Sequence, residues 1–270
     1  MTNNRSQIVY RTLWLSDIHL GNKACHAEYL LAFLQQTHCK TLYLVGDIID
    51  ILALRKRLFW PQSHYRVLKI FQKMAASGTR VIYIPGNHDA ALRDFGDSDF
   101  LEVELRQDAI HETVDGRRLL VLHGDAFDHA VLYRALNRVI GHYAYELALL
   151  LNRWTHRLRR TMGLGYWSFA NYLKQHVGKA RDAIESFENA AAEAAKQRGL
   201  DGVVCGHIHK PELRTIKGVL YCNDGDWTES CSCLAETLTG ELRLLYWREG
   251  SDTVKAHQPE VSEIPAVVNQ

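Results

Sequence analysis

No run of about 18 apolar residues, the length a membrane-spanning helix needs, occurs in the chain. The nearest approach, 143–151, is interrupted by Glu146. Any membrane contact is therefore expected to be peripheral. Strong charge is missing too: 32 Lys and Arg stand against 31 Asp and Glu, a formal net charge of +1, which argues against a nucleic-acid binder. No apolar leader follows Met1, and the six cysteines are scattered through 270 residues, so reduced, buried thiols and a cytosolic setting are expected rather than a disulfide framework. Internal repeats and low-complexity tracts are absent.

What is present is enough apolar side chain to build a sizeable core, 47% of residues. Buried-strand runs at 10–15, 41–45 and 81–84 alternate with helical periodicity at 25–38 and 65–76, the pattern of βαβ crossovers and a parallel sheet. Asp115-Gly116 marks a hairpin joining 109–114 to 118–122, and another buried run covers 202–205. Short strands at 214–216, 219–222, 234–238 and 242–247 read as antiparallel. The expected organisation is α/β: a core over 1–125 and 199–250, an inserted helical cap over 126–198, and a flexible tail over 251–270.

The apolar runs share one feature. Each of five ends in a side chain able to bind metal: Asp17 and His19, Asp47, Asn87, His123, then His207 and His209. Taken singly each has an ordinary explanation, an Asp as helix N-cap, a His bonded to backbone in the core, a Gly-Asn turn. Five in series are hard to explain that way. In an open α/β sheet, groups distant in sequence converge beyond the carboxyl ends of the strands. Asp-x-His and His-x-His also suit extended backbone, where residues two apart project the same way. The donors are carboxylate, imidazole and amide without thiolate, which favours Mn²⁺, Fe²⁺ or Zn²⁺, and seven are too many for one tetrahedral ion. Two ions are implied, with Asp47, alone on its strand, as the candidate bridge. Such a pair suits hydrolysis of a phosphoester or pyrophosphate.

In order, Asp17-x-His19, Gly46-Asp47, Gly86-Asn87-His88-Asp89, His123-Gly124-Asp125 and Gly206-His207-x-His209 resemble the calcineurin-like metallophosphoesterase superfamily. The resemblance implies a four-layer α/β/β/α sandwich. It places Asp17, His19, Asp47 and His209 on one metal and Asp47, Asn87, His123 and His207 on the other. It makes His88 the non-ligand histidine that contacts phosphate and protonates the leaving oxygen, with Asp89 orienting its ring. The remaining histidines, His64 and His111 among them, read as surface or core residues, and Cys231-x-Cys233 is a weak metal candidate.

Between 126 and 198, eleven Lys and Arg meet six Asp and Glu, while the remainder of the chain carries 21 against 25. Arg157, Arg160, Lys174 and Lys179 are interleaved there with Trp154, Tyr166, Trp167 and Tyr172. They read either as a solvated basic face or as a cap that meets phosphates and a lipid surface. Arg55, Arg57 and Trp60 form a second such stretch, a surface loop or a substrate clamp. A metal core with a basic cap and Gly225-Asp226-Trp227 resembles the UDP-2,3-diacylglucosamine pyrophosphatase group of lipid A synthesis. That resemblance implies cleavage of a lipid-linked, anionic UDP pyrophosphate to lipid X and UMP at the cytoplasmic membrane surface, usually with Mn²⁺. The best-known branch of that group carries arginine where this chain has His88. A phosphoesterase for another nucleotide or phospholipid, and a metal-bound scaffold without turnover, are the other readings left open.

Overall fold

The computed structural model describes residues 8–100, 102–129, 178–247 and 255–257. Two sheets lie face to face between helices. The first runs in the order β13-β12-β11-β1-β2-β3-β5-β4. Its centre is β1 (Ile8–Leu15), β2 (Thr37–Val45), β3 (Arg80–Ile84) and β5 (Val103–Leu105), mutually parallel. Antiparallel strands flank them: β4 (Ser98–Phe100) on one side, and β11 (Ser232–Glu236), β12 (Leu242–Tyr246) and β13 (Lys255–His257) on the other. The second sheet is β6-β7-β8-β10-β9. It comprises β6 (Ala109–Glu112), β7 (Arg118–Val121), β8 (Gly202–Cys205), β9 (Glu212–Ile216) and β10 (Val219–Asn223), with β7, β8 and β10 parallel.

Side-chain alternation sorts the strands into three apolar layers. Leu13 and Leu15 of β1, with Leu42, Leu44 and Val81, pack on one face against Leu30, Phe33, Val67 and Phe71. Those partners lie on α1 (Ala27–Gln36) and α3 (Gln62–Ala76). On the other face Trp14, Tyr43, Val45 and Ile82 meet Leu119, Val121, Val204 and Cys222 of the second sheet. Beyond that sheet, Leu120, Val203, Cys205 and Tyr221 pack on Phe187, Ala191, Ala192 and Ala195 of a helix, α4 (Gly178–Gln197). The architecture is therefore the expected α/β/β/α sandwich. Runs buried on both faces, not alternating ones, follow from a strand clad by a helix on one side and a sheet on the other.

Some expectations need correction. The segment 178–197 is the outer helical layer of the core, because its alanine stripe closes the face of β8 and β10 that would otherwise be bare. The expected cap therefore reduces to residues before it, and those from 130 to 177 lie outside the described residues. Residues 255–257 form the edge strand β13 rather than tail. The first helix stops at Gln36, not His38, because β-branched Thr37 begins β2 with Thr37 and Cys39 turned inward and His38 and Lys40 outward. A short helix, α2 (Ile51–Lys56), capped by Asp50, was not expected.

One charged residue ties the two sheets together. Glu236 of β11 is fully buried and accepts from Arg11 Nη1 at 2.9 Å and Thr12 Oγ1 at 3.1 Å on β1. It also meets His111 Nε2 of β6 at 3.0 Å and the Val114 amide at 2.9 Å. Burial pushes its carboxyl up, but these partners outweigh it and hold the pKa below the ordinary 4.5. Its stabilising contribution is therefore complete above that value and lost as pH falls through the lower folded-state pKa. Glu236→Ala is expected to destabilise the fold by about 3 kcal/mol at pH 7, with the gap to the parent narrowing near pH 3, as measured by urea unfolding.

Candidate metal centre

The five strand ends converge. Asp17 and His19 follow β1, Asp47 follows β2, Asn87 follows β3, His123 follows β7, and His207 and His209 follow β8, all beyond the carboxyl ends. The backbone there is not extended, as the two-apart spacing suggested. Asp17, His19, Asp47, His207 and His209 have φ of 49°, 53°, 54°, 68° and 52°. Left-handed backbone costs a non-glycine residue roughly 1–2 kcal/mol. Asp tolerates it better than most, and the hydrogen bonds of the turns offset it: Asp17 N donates to Gly46 O at 3.0 Å and His19 N to Asp47 O at 2.8 Å. The turns thus swing both members of each pair to one side.

The glycines before Asp47, Asn87 and His207 leave room for the converging side chains. A Cβ on Gly206 would run into Ser16 Oγ and Asp17 Oδ2, and one on Gly46, whose φ is 80°, into the His123 ring. The same close approach lets the His207 amide donate to Asp17 Oδ2 at 2.8 Å and the His88 amide to Asp47 Oδ1 at 2.7 Å.

Two groups of donors result. Around Asp17, His19 Nε2 lies 3.7 Å and His209 Nε2 3.1 Å from Oδ1. Around Asp47, His19 Nε2 is 3.8 Å from Oδ2, His123 Nε2 is 3.6 Å from Oδ1, and Asn87 Oδ1 is 3.3 Å from His123 Nε2. Asp47 therefore stands between the two groups, in the bridging position. His207 stands apart from these carboxylates. Its Nε2 meets Asp128 Oδ1 at 2.8 Å, while its ring lies 5.1 Å from that of His123.

The donor set fits cations. Asp17 Oδ1 and both ring nitrogens of His19 are buried without a hydrogen bond, so candidate ligand atoms are left unpaired beside one another. No Lys or Arg ion-pairs with Asp17 or Asp47 among the described residues. Burial alone would raise the carboxyl pKa values, yet the surrounding imidazoles hold Asp17 well below the ordinary range and Asp47 down to about 2. Conversely, burial disfavours charge on His19 and His123, but the carboxylates of Asp17, Asp50 and Asp47 outweigh it and push both up to about 10. A site with this demand for positive charge is met by divalent ions, which Asp17, His19, Asp47, Asn87, His123, His207 and His209 would hold.

Behind Asp17 lies a hydrogen-bond relay. Ser16 Oγ is 2.6 Å from both Asp17 Oδ2 and Asp224 Oδ1. Burial raises the Asp224 carboxyl well above its ordinary value, and the Ser16 hydroxyl, a donor within reach of both carboxylates, links it to Asp17. That fixes Oδ2 and leaves Oδ1 toward the histidines.

Beside the ligands, His88 Nε2 is 3.9 Å from Asp47 Oδ2. The residue that orients it is not Asp89. Asp50 Oδ1 meets His88 Nδ1 at 2.8 Å, and Asp50 Oδ2 lies 3.5 Å from His19 Nδ1. Asp89, fully buried, accepts instead from the amides of Gly86 at 2.6 Å and Ile48 at 2.9 Å and from Tyr83 Oη at 2.5 Å. It fastens the turns after β2 and β3 to each other. Sequence reasoning passed over Asp50, whose one signal was an acid opening a short helix, and also Asp128 and Arg93. Arg93 joins Pro85 O at 2.9 Å to Asp125 Oδ1 at 2.8 Å, across the two turns.

The proposed substrate residues are dispersed. Arg55 and Arg57 are exposed, at the end of α2 and just beyond it. Trp60 is no free clamp: it packs against the helix-side core and sets its ring edge-on to His64 at 5.7 Å. Arg157, Arg160 and Lys174 lie outside the described residues, and Lys179 is in α4.

These contacts separate two adjacent acids. Asp50→Ala is expected to lower turnover 10- to 100-fold, as is typical when the partner of a catalytic or metal-binding His is removed, and to cost about 1 kcal/mol through the lost α2 cap. Asp89→Asn is expected to cost about 1–3 kcal/mol in chemical unfolding, through its buried amide partners. Equal unfolding midpoints for parent and Asp89→Asn would refute the fastening role.

Comparison with known proteins agrees with this geometry. A model of the calcineurin-like phosphoesterase family matches residues 10–211. The chain is 28% identical over 228 residues to the UDP-2,3-diacylglucosamine hydrolase of Ralstonia nicotianae, covering 79% of this chain and 82% of that protein. It is 23% identical over 240 residues to the protein of the same name from Aliivibrio fischeri, covering 82% and 92%. Among solved structures, the phosphoesterase Yfce from E. coli overlays with a TM-score of 0.45 at 15% identity, covering 90% of this chain and 95% of that one. Since the family model runs from β1 to just past His209 and takes in all five strand ends, the chain belongs to the calcineurin-like phosphoesterase family and is a metal-dependent phosphoesterase.

Proposed function

We propose that the enzyme hydrolyses the pyrophosphate of UDP-2,3-diacylglucosamine to lipid X and UMP, using two divalent ions, preferentially Mn²⁺, with Fe²⁺ or Zn²⁺ as substitutes. The observation that carries the reading is the bridging place of Asp47, between the Asp17–His19–His209 group and the His123–Asn87 group. The names of the relatives, matched over most of their length, supply the substrate. One ion is assigned to Asp17, His19, Asp47 and His209, the other to Asp47, Asn87, His123 and His207. Bound there, the ions would polarise the phosphoryl group and furnish a nucleophile at neutral pH.

The protein's own residues do the rest. The Asp50 carboxylate accepts the Nδ1 proton of His88 and so aims Nε2 toward the Asp47 side of the site. From there Nε2 serves a phosphoryl oxygen or hands a proton to the departing phosphate. The basic insert supplies cations for the anionic lipid-linked nucleotide and for a membrane surface. The lipid-linked substrate supplied by the relatives' names assigns the enzyme to the cytoplasmic face of the inner membrane, in peripheral contact; no described helix is long and apolar enough to cross a membrane.

Asp47→Ala is expected to lose bound metal and activity together, whereas His88→Ala keeps its metal and loses about 10²- to 10⁴-fold in rate. Metal analysis alongside steady-state release of UMP from UDP-2,3-diacylglucosamine reads both. Two ions retained by the Asp47 variant would remove the bridge. Turnover of an aryl phosphodiester alone would move the enzyme to another phosphoester, the reading that His88 in place of arginine favours. Charge reversal at Arg157 and Arg160 is expected to weaken hydrolysis of the lipid substrate and liposome binding more than hydrolysis of the soluble ester; equal losses would end the lipid role of the insert.

A further inference from the structure

The loop that carries the chain from His19 to α1 forms one wall of a cleft that the metal centre does not use. It is a cavity of about 290 Å³ lined by Lys23, His26, Glu28, Tyr29, Phe59 and His64, among others. Its walls are largely rings. His26 and Tyr29 are stacked, with centroids 5.2 Å apart and planes 8° from parallel, and Phe59 meets His64 edge-on at 5.6 Å. Lys23 Nζ lies 5.8 Å from the Phe59 centroid.

His64 is the informative residue. It is only 2% exposed, and its Nδ1 accepts the Gly21 amide at 2.9 Å, which leaves the proton on Nε2. Burial lowers its pKa, so the ring is neutral and its tautomer is set. Nε2 has no hydrogen-bond partner among the described residues, while the ring lines the cavity. The first turn of α1 opens into the same space, and His26 gives it no side-chain cap. Glu28 is the one acid in the lining, a ready acceptor for hydroxyl groups.

We propose that this cleft is the subsite for the nucleoside monophosphate half of the substrate, with the base against the ring walls, the phosphate met by Lys23 and His64 Nε2–H, and the ribose hydroxyls by Glu28. The assignment rests on the pyrophosphatase reading above. Position supports it. Lys23 is four residues from His19, so it lies at most about 14 Å away. Asn22, between them, donates to Asp50 Oδ2 at 3.0 Å, tying the wall of the cleft to the carboxylate that orients His88. Size supports it as well. The volume stands at the low end of small-ligand sites, roughly 300–1,000 Å³, and polar donors among rings suit a base and sugar better than acyl chains.

The test is calorimetric binding of UMP, uridine and inorganic phosphate to the Mn²⁺-loaded protein. UMP is expected to bind more tightly than phosphate. Lys23→Ala and Phe59→Ala should each weaken UMP about tenfold or more, with phosphate affinity unchanged by Phe59→Ala, and Lys69→Ala, outside the lining, without effect. Phe59→Ala should also weaken uridine, which Lys23→Ala should leave largely alone. UMP affinity that matches phosphate, or that neither substitution alters, would overturn the subsite. Failure to hydrolyse the lipid nucleotide with UMP binding still dependent on Lys23 would remove the pyrophosphatase reading and keep the cleft. Hydrolysis with UMP binding indifferent to both substitutions would do the reverse.

Discussion

Two buried carboxylates, Asp17 and Asp47, share one pocket with no lysine or arginine paired to either among the described residues. Everything around the edge of the two sheets answers to that constraint. Like charges in a low-dielectric interior repel, and each alone is expensive to desolvate, so the pocket must hold cations or protons. The imidazoles of His19, His123 and His209 surround those carboxylates, which push His19 and His123 up to about 10, so the pocket's demand for positive charge shows in its own side chains. Ser16 fastens the back of Asp17, its hydroxyl shared with Asp224, whose carboxyl burial raises well above its ordinary value.

The fold exists at this edge to hold the pocket rigid. Parallel strands deliver the ligands from one end of both sheets, and left-handed turns aim them inward. Those turns are strained in isolation, and they persist because they are fastened from below. Asp89 spans the turns after β2 and β3, Arg93 spans those after β3 and β7, and the Trp227 amide donates to Asp17 O. A site assembled from two sheets also needs the sheets fixed to one another. Glu236 and the Trp14–Tyr43–His111 ring cluster do that within the inter-sheet layer.

The layered core and the ligand-bearing strand ends were legible in the sequence for the same reason. A strand buried on both faces reads as a continuous apolar run, and where it ends a polar residue is conspicuous. A three-residue strand is too short to show such a run, which is why β4, β5 and β13 were not foreseen. The alanine-rich α4 was misplaced because its small, spaced side chains look like part of a helical insert until a bare sheet face is found beneath them. Backbone sign was likewise invisible: Asp-x-His is compatible with extended chain and with a left-handed turn, and only hydrogen bonding to the neighbouring strand's loop decides between them.

The exchange of roles between Asp89 and Asp50 carries the more general lesson. Adjacency to His88 made Asp89 the natural partner, yet consecutive residues in a tight turn point in different directions. Asp89 turns down toward Tyr83 and the amides beneath. The partner must come from another loop, one that already faces the site. Asp50 meets that condition because it caps α2 through one oxygen, accepting from the Ala53 amide, while its carboxylate still reaches His88 and the Asn22 amide. A helix cap is held in place by the helix it starts, so a histidine leaning on it is oriented by an element with few rotamers to lose. The same carboxylate reaches the loop of the His64 cleft, so the group that aims His88, the proposed proton donor, also fixes the wall against which the nucleotide half of the substrate is proposed to rest.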